Sequence, residues 1–411
     1  MRKTLTLIVL LAMASCKSTQ PSETVEKPLG RTYSKPLKTG QPALRRVPNA
    51  QWPDLGSAWE GNDLFLQDSL DNSIAWFEAP SSKQWFPIEG ITHQQAKNSV
   101  LAVRALLETC KTKNEFLYKL ETNFDVYQSV GCDDEGTVLF TGYYAPDFYA
   151  SKTPSRKYDA PLYTRPSDLV TDQASGEPIG RKLSDGSITS WPTRREIEHS
   201  NLFNGNELVW VEDDLDAYTI HVNGSARLRL DTGELMYVGY AGKTDRPYTG
   251  LGSSVLKADL LPKSKLSLRN IRKLYDKNPQ VISNLIDENE SFVFFREYDG
   301  SAWPSGSLGV PVTAARSIAT DKRIFPRGGL VFVDTTVHSL TGETEKFKQF
   351  MVDQDTGGAI RAPGRADLFM GVGPTAGIKA GGQYAEGTLY YLFLKPGATY
   401  GTGNSVAAVK N

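Results

Sequence analysis

The stretch "VDQDTGGAIRAPGRADLF", Val352 to Phe369, sets three carboxylates, Asp353, Asp355 and Asp367, among glycines and a proline. Carboxylates alone support two kinds of bond cleavage. An aspartic protease needs two Asp that share one proton, normally from two D-T/S-G loops. The triplet at 355–357 cannot form that pair by itself, and retroviral protomers, which supply the second loop by dimerising, are far smaller than this chain. Glycosidic bond cleavage needs an acid to protonate the leaving oxygen and usually a second carboxylate. Asp355 and Asp367 stand twelve residues apart, and Gly357, Gly358, Pro363 and Gly364 let the chain fold back between them. On spacing alone, a turn-capping role for each Asp is the simpler reading.

Other chemistries lack their residues. The four His, at 93, 199, 221 and 338, show no H-E-x-x-H spacing, and no Cys pair stands at zinc-site spacing, so neither a metal nor a cofactor is expected. No G-x-S-x-G elbow or P-loop occurs. With 46 basic and 47 acidic residues and a net charge of −1, no overall field draws the chain to nucleic acid. Eighteen Tyr, seventeen Phe and seven Trp offer faces on which sugar rings pack, although an aromatic is core by default.

The elements that must position these residues begin after a leader. Arg2 and Lys3 precede an apolar run from Leu5 to Ala14 that meets Cys16, a signal peptide over 1–16. Its end is similar to the bacterial lipoprotein box, which would make Cys16 a lipidated first residue. Met13 is unusual for that box, and a plain signal peptide is the alternative. The run is shorter than the roughly 20 apolar residues of a membrane span. The expected membrane link is therefore the lipid alone, and Lys17 after the Cys suggests the outer membrane. Cys110 and Cys132 remain, as a disulfide or as two separate buried thiols.

Residues 17–50, rich in Pro, Ser, Thr, Lys and Gly, read as a tether, with folding expected to start near Trp52. Apolar spacing of three and four predicts helices over 63–77 and 92–110, the latter with Thr92 as N-cap, and a third over 114–127. After "GTVLFTGYYAP" a Pro- and Gly-punctuated region to about 260 reads as mostly β. Helical spacing returns at Ser267, broken at Pro279. The strand candidates "SFVFFREY", "GGLVFVDTT", "KFKQFMVDQD" and "TLYYLFLKP" then predict a barrel or sandwich.

"DQDTGGAIRAPGRADLFMGVGPTAGIKAGGQYAEGTLYYL" resembles the terminal signature of the 3D domain, named for three aspartates, in the membrane-bound lytic transglycosylase A family. "FTGYYAPDFYASKTPSRKYDAPLYTRP", "IHVNGSARLRL", "YVGYAGKTDRPYTGLG" and "NESFVFFRE" resemble further family blocks in the expected order, over residues 55–398. The resemblance implies a mainly β, α+β protein. It would have N-terminal helices, a double-psi β-barrel from 51–147 plus 290–400 with the 3D domain at 310–396, a smaller inserted β domain at 148–289 and a tail at 401–411. It implies cleavage of peptidoglycan glycan strands between N-acetylmuramic acid and N-acetylglucosamine, leaving 1,6-anhydromuramoyl ends. A monomer is the default expectation, and a lipid on Cys16 would hold it at the periplasmic face of the outer membrane of a Gram-negative bacterium. By position, Asp321, Asp355 and Asp367 are the three aspartates. Asp367 matches the single acid/base and Asp355 a supporting aspartate. Thr141, Gly142 and Tyr143 match a groove segment. Asn223 and Ser225 lie in a sugar-contacting block, which departs from the usual Gln-Gly-Ser-Gly. Gly357 and Gly358 would admit a bulky sugar chain. The departure leaves a non-catalytic peptidoglycan-binding lipoprotein as the competing reading. An Asp in water titrates near 3.9, so an acid of this kind needs burial or a neighbouring carboxylate to stay protonated.

Overall fold

The computed structural model describes residues 31–172, 176–262, 265–340, 343–358 and 360–398. The leader, Cys16 and the tail fall outside the described residues. Strand β1 (Leu44–Val47) is followed by four helices, α1 (Gly56–Glu60), α2 (Leu64–Glu78), α3 (His93–Thr109) and α4 (Lys113–Asn123). Next come β2 (Phe124–Ser129), β3 (Val138–Ala145), β4 (Asp147–Ser151), β5 (Ala160–Tyr163), β6 (Leu169–Thr171), β7 (Pro178–Lys182) and β8 (Ile188–Thr189). The middle of the chain adds α5 (Arg194–Glu198), β9 (Glu207–Val211), α6 (Asp214–Asn223), β10 (Ser225–Leu230), β11 (Leu235–Lys243), α7 (Leu251–Lys257), α8 (Leu268–Lys277) and α9 (Pro279–Ile286). Then follow β12 (Val293–Tyr298), β13 (Ser317–Ala319), β14 (Leu330–His338), β15 (Thr344–Asp355), β16 (Arg365–Val372), α10 (Gly373–Gly382) and β17 (Tyr384–Leu394).

One sheet has the order β1-β2-β17-β14-β15-β13-β16-β3, and β3 also pairs with β17, so six of its strands form a closed cycle. A second sheet, β12-β11-β10-β4-β9-β5, nearly closes as well, because Thr164 after β5 bridges to Phe295 of β12. A short third sheet is β6-β7-β8. The architecture is α+β and rich in sheet.

Side-chain caps start the helices. Asp63 accepts from Leu66 N, Thr92 from Gln95 N and Ser267 from Asn270 N. Pro279 occupies the first turn of α9, so α8 and α9 are separate. Helices α1 to α4 cover the closed sheet in one core that includes Phe77, Phe116, Phe332 and Phe350. Gln354 ties α2 to β15: its amide donates to Ser69 O at 2.8 Å, and it accepts from Ser69 and Ser317 hydroxyls at 3.1 and 2.6 Å.

Three expectations change. The helix predicted over 114–127 stops at Asn123, because Phe124 and Val126 are drawn into the core as strand β2. Folding starts before Trp52: Tyr33 and Ala43 are buried and Leu44–Val47 pair with β2, so the tether read over 17–50 does not extend through these residues. The region read as mostly β from Pro146 to about 260 carries α5, α6 and α7 as well as strands. Helix α6 buries Leu215 to His221 almost continuously, which erased the amphipathic signal. Cys110 and Cys132 are buried in different clusters and no disulfide joins them. No helix among the described residues is long and apolar enough to cross a membrane.

Candidate active site

Strand register assembles the site. Ala319 pairs with Asp355 of β15 on one side and with Asp367 of β16 on the other. Asp367 pairs onward with Thr141 of β3, and Thr141 with Tyr384 of β17. Register partners project to the same face of a sheet. Asp355, Ala319, Asp367, Thr141 and Tyr384 therefore form one transverse row, with the two Asp Cα atoms about 10 Å apart, two strand spacings. Asp355 reaches the row through a bulge. Ile318 pairs with Asp353 and Ala319 with Asp355, so Gln354 is an extra residue in β15. Flanking residues Phe140, Leu368 and Ile318 are fully buried.

Asp367 accepts through Oδ1 from the Thr141 hydroxyl. The Nη2 of Arg365, two residues away and on the same face, lies 3.2 Å from Thr141 Oγ1 and 3.5 Å from Asp367 Oδ1. The Asp367 side chain keeps 17% of its surface accessible. Asp355 accepts through Oδ1 from Ser307 N and Thr356 N, both at 2.8 Å. The loop carrying Ser307 comes so close that a Cβ on Gly306 would sit 2.6 Å from Gln354 O. Burial pushes the Asp355 carboxyl up, and its backbone donors oppose this without cancelling it. The buried Tyr143 hydroxyl lies beside Asp355, outside strict hydrogen-bond geometry with any described group, and burial and that carboxylate keep it protonated.

Beneath Asp355 lies a pair that sequence reading missed. Asp353 is fully buried and accepts from Lys322 Nζ, from Thr320 Oγ1 at 2.7 Å and from Tyr391 OH at 2.6 Å. Lys322 is buried too, and desolvation lowers its pKa against the pull of Asp353. The only sequence signal was an acidic residue in an apolar strand.

Asp321 is placed differently from Asp355 and Asp367. It is 1% exposed and accepts from Arg323 Nε and Nη2 at 2.8 and 2.6 Å and from Ala362 N at 2.9 Å. Burial would raise its carboxyl, but these donors hold it below the usual range. Asp321 thus pins the turn leading into β16, where Ala362 has φ 72°. The Arg that orients it is Arg323, while Arg316, five residues before Asp321, binds Asp63 and the carbonyls of Gly61 and Phe350. Gly142 makes room for α10, since a Cβ there would sit 2.8 Å from Ala380 Cα. Among the described residues, no atom beyond the chain neighbours lies within 4 Å of the Cβ position on Gly358, while Gly357 faces Ile360.

Asn223 ends α6 and donates to Thr219 O at 2.7 Å. Ser225 opens β10 on the face that carries Arg227. Arg227 belongs to a second row, Asp147, Arg227, Tyr237 and Tyr298, with Trp303 packed on Arg227 and Tyr237. Trp303 also joins Tyr143 and Phe369 in one cluster. A second D-T-G, Asp231–Gly233, which sequence reading missed in taking the triplet at 355–357 by itself, lies exposed in the β10–β11 turn of the second sheet, whereas Asp355 belongs to the first. A cavity of about 630 Å³ lies on the second sheet, lined by Arg165, Tyr240 and Phe295 among others and by no residue of the Asp355–Asp367 row. Among the described residues no group of His, Cys, Asp or Glu is placed to hold a metal ion.

This arrangement defines a carboxylate-based site, with one accessible Asp held by a hydroxyl and a guanidinium and a second on the same face. The profile of the MltA specific insert domain matches residues 139–296, and that of the 3D domain matches 316–393. Membrane-bound lytic murein transglycosylase A of Vibrio cholerae is 31% identical over 274 residues, 66% of this chain and 69% of that protein. Its Escherichia coli counterpart is 29% identical over 281 residues, 67% and 70%. A membrane-bound lytic murein transglycosylase from Agrobacterium tumefaciens superposes with a TM-score of 0.69 at 26% identity, covering 86% of this chain and 98% of that one. E. coli MltA with bound chitohexaose gives 0.66 at 24% identity, covering 89% and 98%, a likeness of fold. The chain belongs to the membrane-bound lytic murein transglycosylase A family.

Proposed function

We infer that this chain is a peptidoglycan lytic transglycosylase in which Asp367 is the single acid/base. It cleaves the β-1,4 bond between N-acetylmuramic acid and N-acetylglucosamine and leaves 1,6-anhydromuramoyl ends. The observation that carries the role of Asp367 is the row: register puts Asp367, Asp355 and Thr141 on one face, with Asp367 partly accessible. Protonated Asp367 gives its proton to the leaving 4-oxygen as the bond to C1 breaks. The resulting carboxylate then takes the proton of the muramic acid 6-hydroxyl while O6 bonds to C1. That attack is intramolecular, so no bound water or protein nucleophile is required. Asp355 supports the site, and its loop leaves room for the sugar at Gly358, where a Cβ would meet no described atom within 4 Å beyond the chain neighbours.

The closed cycle of strands supports a double-psi β-barrel as the catalytic domain, with 148–289 inserted. Cys16 as a lipid anchor would place the monomer at the periplasmic face of the outer membrane, in the cell envelope of a Gram-negative bacterium. Mass spectrometry of products released from purified sacculi tests the chemistry. Wild type is expected to release muropeptides one water lighter than hydrolytic products. Asp367→Asn should lower the rate by about 10²–10⁴-fold, the usual contribution of general acid–base catalysis. Products of full hydrolytic mass, or undiminished release by the variant, would overturn the assignment.

A further inference from the structure

The proton of the proposed acid has two carboxyl oxygens to choose from, and the neighbours of Asp367 treat them differently. Oδ1 accepts from Thr141 and faces the Arg365 guanidinium at 3.5 Å, whereas Oδ2 has no hydrogen-bond partner among the described residues. A guanidinium can only donate. Since Arg365 Nη2 lies 3.2 Å from Thr141 Oγ1, the Thr141 oxygen must accept there, and its one hydrogen is directed at Asp367 Oδ1. The chain of donors therefore has a fixed direction, Arg365 to Thr141 to Asp367.

The Arg365 side chain supports the same view. It keeps 21% of its surface, its Nε is buried with no acceptor among the described residues, and its hydrogen bonds there are those to Thr141 and Asp367. A buried unpaired donor is costly to hold. Arg365 is held at that cost beside one carboxylate oxygen.

We propose that Arg365 is a positioning residue that acts through Thr141, occupying Oδ1 so that the working proton resides on Oδ2. Resting on Asp367 as the acid/base, this makes Oδ2 the oxygen that loses a proton to the leaving group and regains one from the 6-hydroxyl. The fixed positive charge also stabilises the carboxylate that exists between the two transfers.

The test is the pH dependence of anhydro-product release from sacculi by wild type, Arg365→Gln, Arg365→Lys, Thr141→Val and the Arg365→Gln/Thr141→Val double variant, with Asp367→Asn in parallel. Circular dichroism and melting temperature confirm that each is folded. Loss of the cation destabilises the carboxylate, so the alkaline limb for Arg365→Gln should move up by about one pH unit, the low end of the effect of a nearby opposite charge. Arg365→Lys, which keeps the charge, should restore the limb toward that of wild type. In the Thr141→Val background the added effect of Arg365→Gln should shrink by at least about threefold, as expected of coupled residues. Equal losses in Arg365→Gln and Arg365→Lys with an unmoved limb, or full additivity with Thr141→Val, would overturn the role of Arg365. Undiminished activity of Asp367→Asn would instead overturn the acid/base assignment on which it rests.

Discussion

Asp353, Gln354 and Asp355 take three different places within three residues. Asp353 belongs to a buried ion pair, Gln354 fastens a helix, and Asp355 alone reaches the row. Burying a charge is tolerable only with a partner in good geometry. Lys322→Met should therefore lower unfolding free energy by about 3–5 kcal/mol, because it leaves Asp353 uncompensated. Lys322→Met/Asp353→Leu should recover most of that loss, since replacing both members of a buried pair by apolar residues is often neutral. Chemical denaturation of the two variants checks this; a double variant no more stable than the single would mean that Lys322 acts through some other contact. Asp355 and Asp367 were singled out by the resemblance of their motifs, whereas spacing alone favoured turn caps. Residue types could not separate Asp353 from Asp355, because the bulge at Gln354 that sets them apart exists only once β15 meets β13.

At the scale of elements, the strands around the site were legible because each is short, apolar and closed by Gly, Pro or Asp. Helices α2 and α3 were legible from their caps. What the sequence did not disclose depends on distant partners. Phe124 to Tyr127 continue the spacing of α4 but become strand because β1 and β17 hydrogen-bond to them. Tyr384 gave no sign of its place beside Thr141 until β17 paired with β3. Gly142, read as facing the groove, is where α10 rests on β3. A methyl group there would meet Ala380 Cα at 2.8 Å, a backbone atom unable to swing aside. Gly142→Ala should cost about 1–3 kcal/mol, the range for overpacking, and lower turnover with it because Thr141 is the next residue. A denaturation midpoint unchanged from wild type would show that α10 can shift freely.

For the whole molecule, the middle region joins the closed sheet where α6 and α8 approach β3. Asp216 of α6 is paired with Arg272 of α8 and crowded by Asp213, Asp214 and Glu212. Tyr275 bonds Asp214, and Tyr144 of β3 lies within electrostatic reach. Burial first, and then Asp213, push the Asp216 carboxyl up to about 7, while Arg272 opposes the rise. A raised carboxyl means that between about pH 4 and 7 the native protein holds a proton the unfolded chain has released. Stability from this group is fully present at the acid end of that window, falls as pH rises through it, and is level above it. Asp63, Asp147 and Asp321, held low by their arginines, act in the opposite sense and lose their contribution only below about pH 4. Comparison of wild type with Asp216→Asn isolates the first effect. The variant should gain on wild type steadily from pH 4 to 7, by on the order of a few kcal/mol, and run parallel to it above. Urea unfolding at intervals across pH 4–8 measures the difference. A constant difference across the window would mean that Asp216 is ionised throughout and that its pairing with Arg272 outweighs its burial.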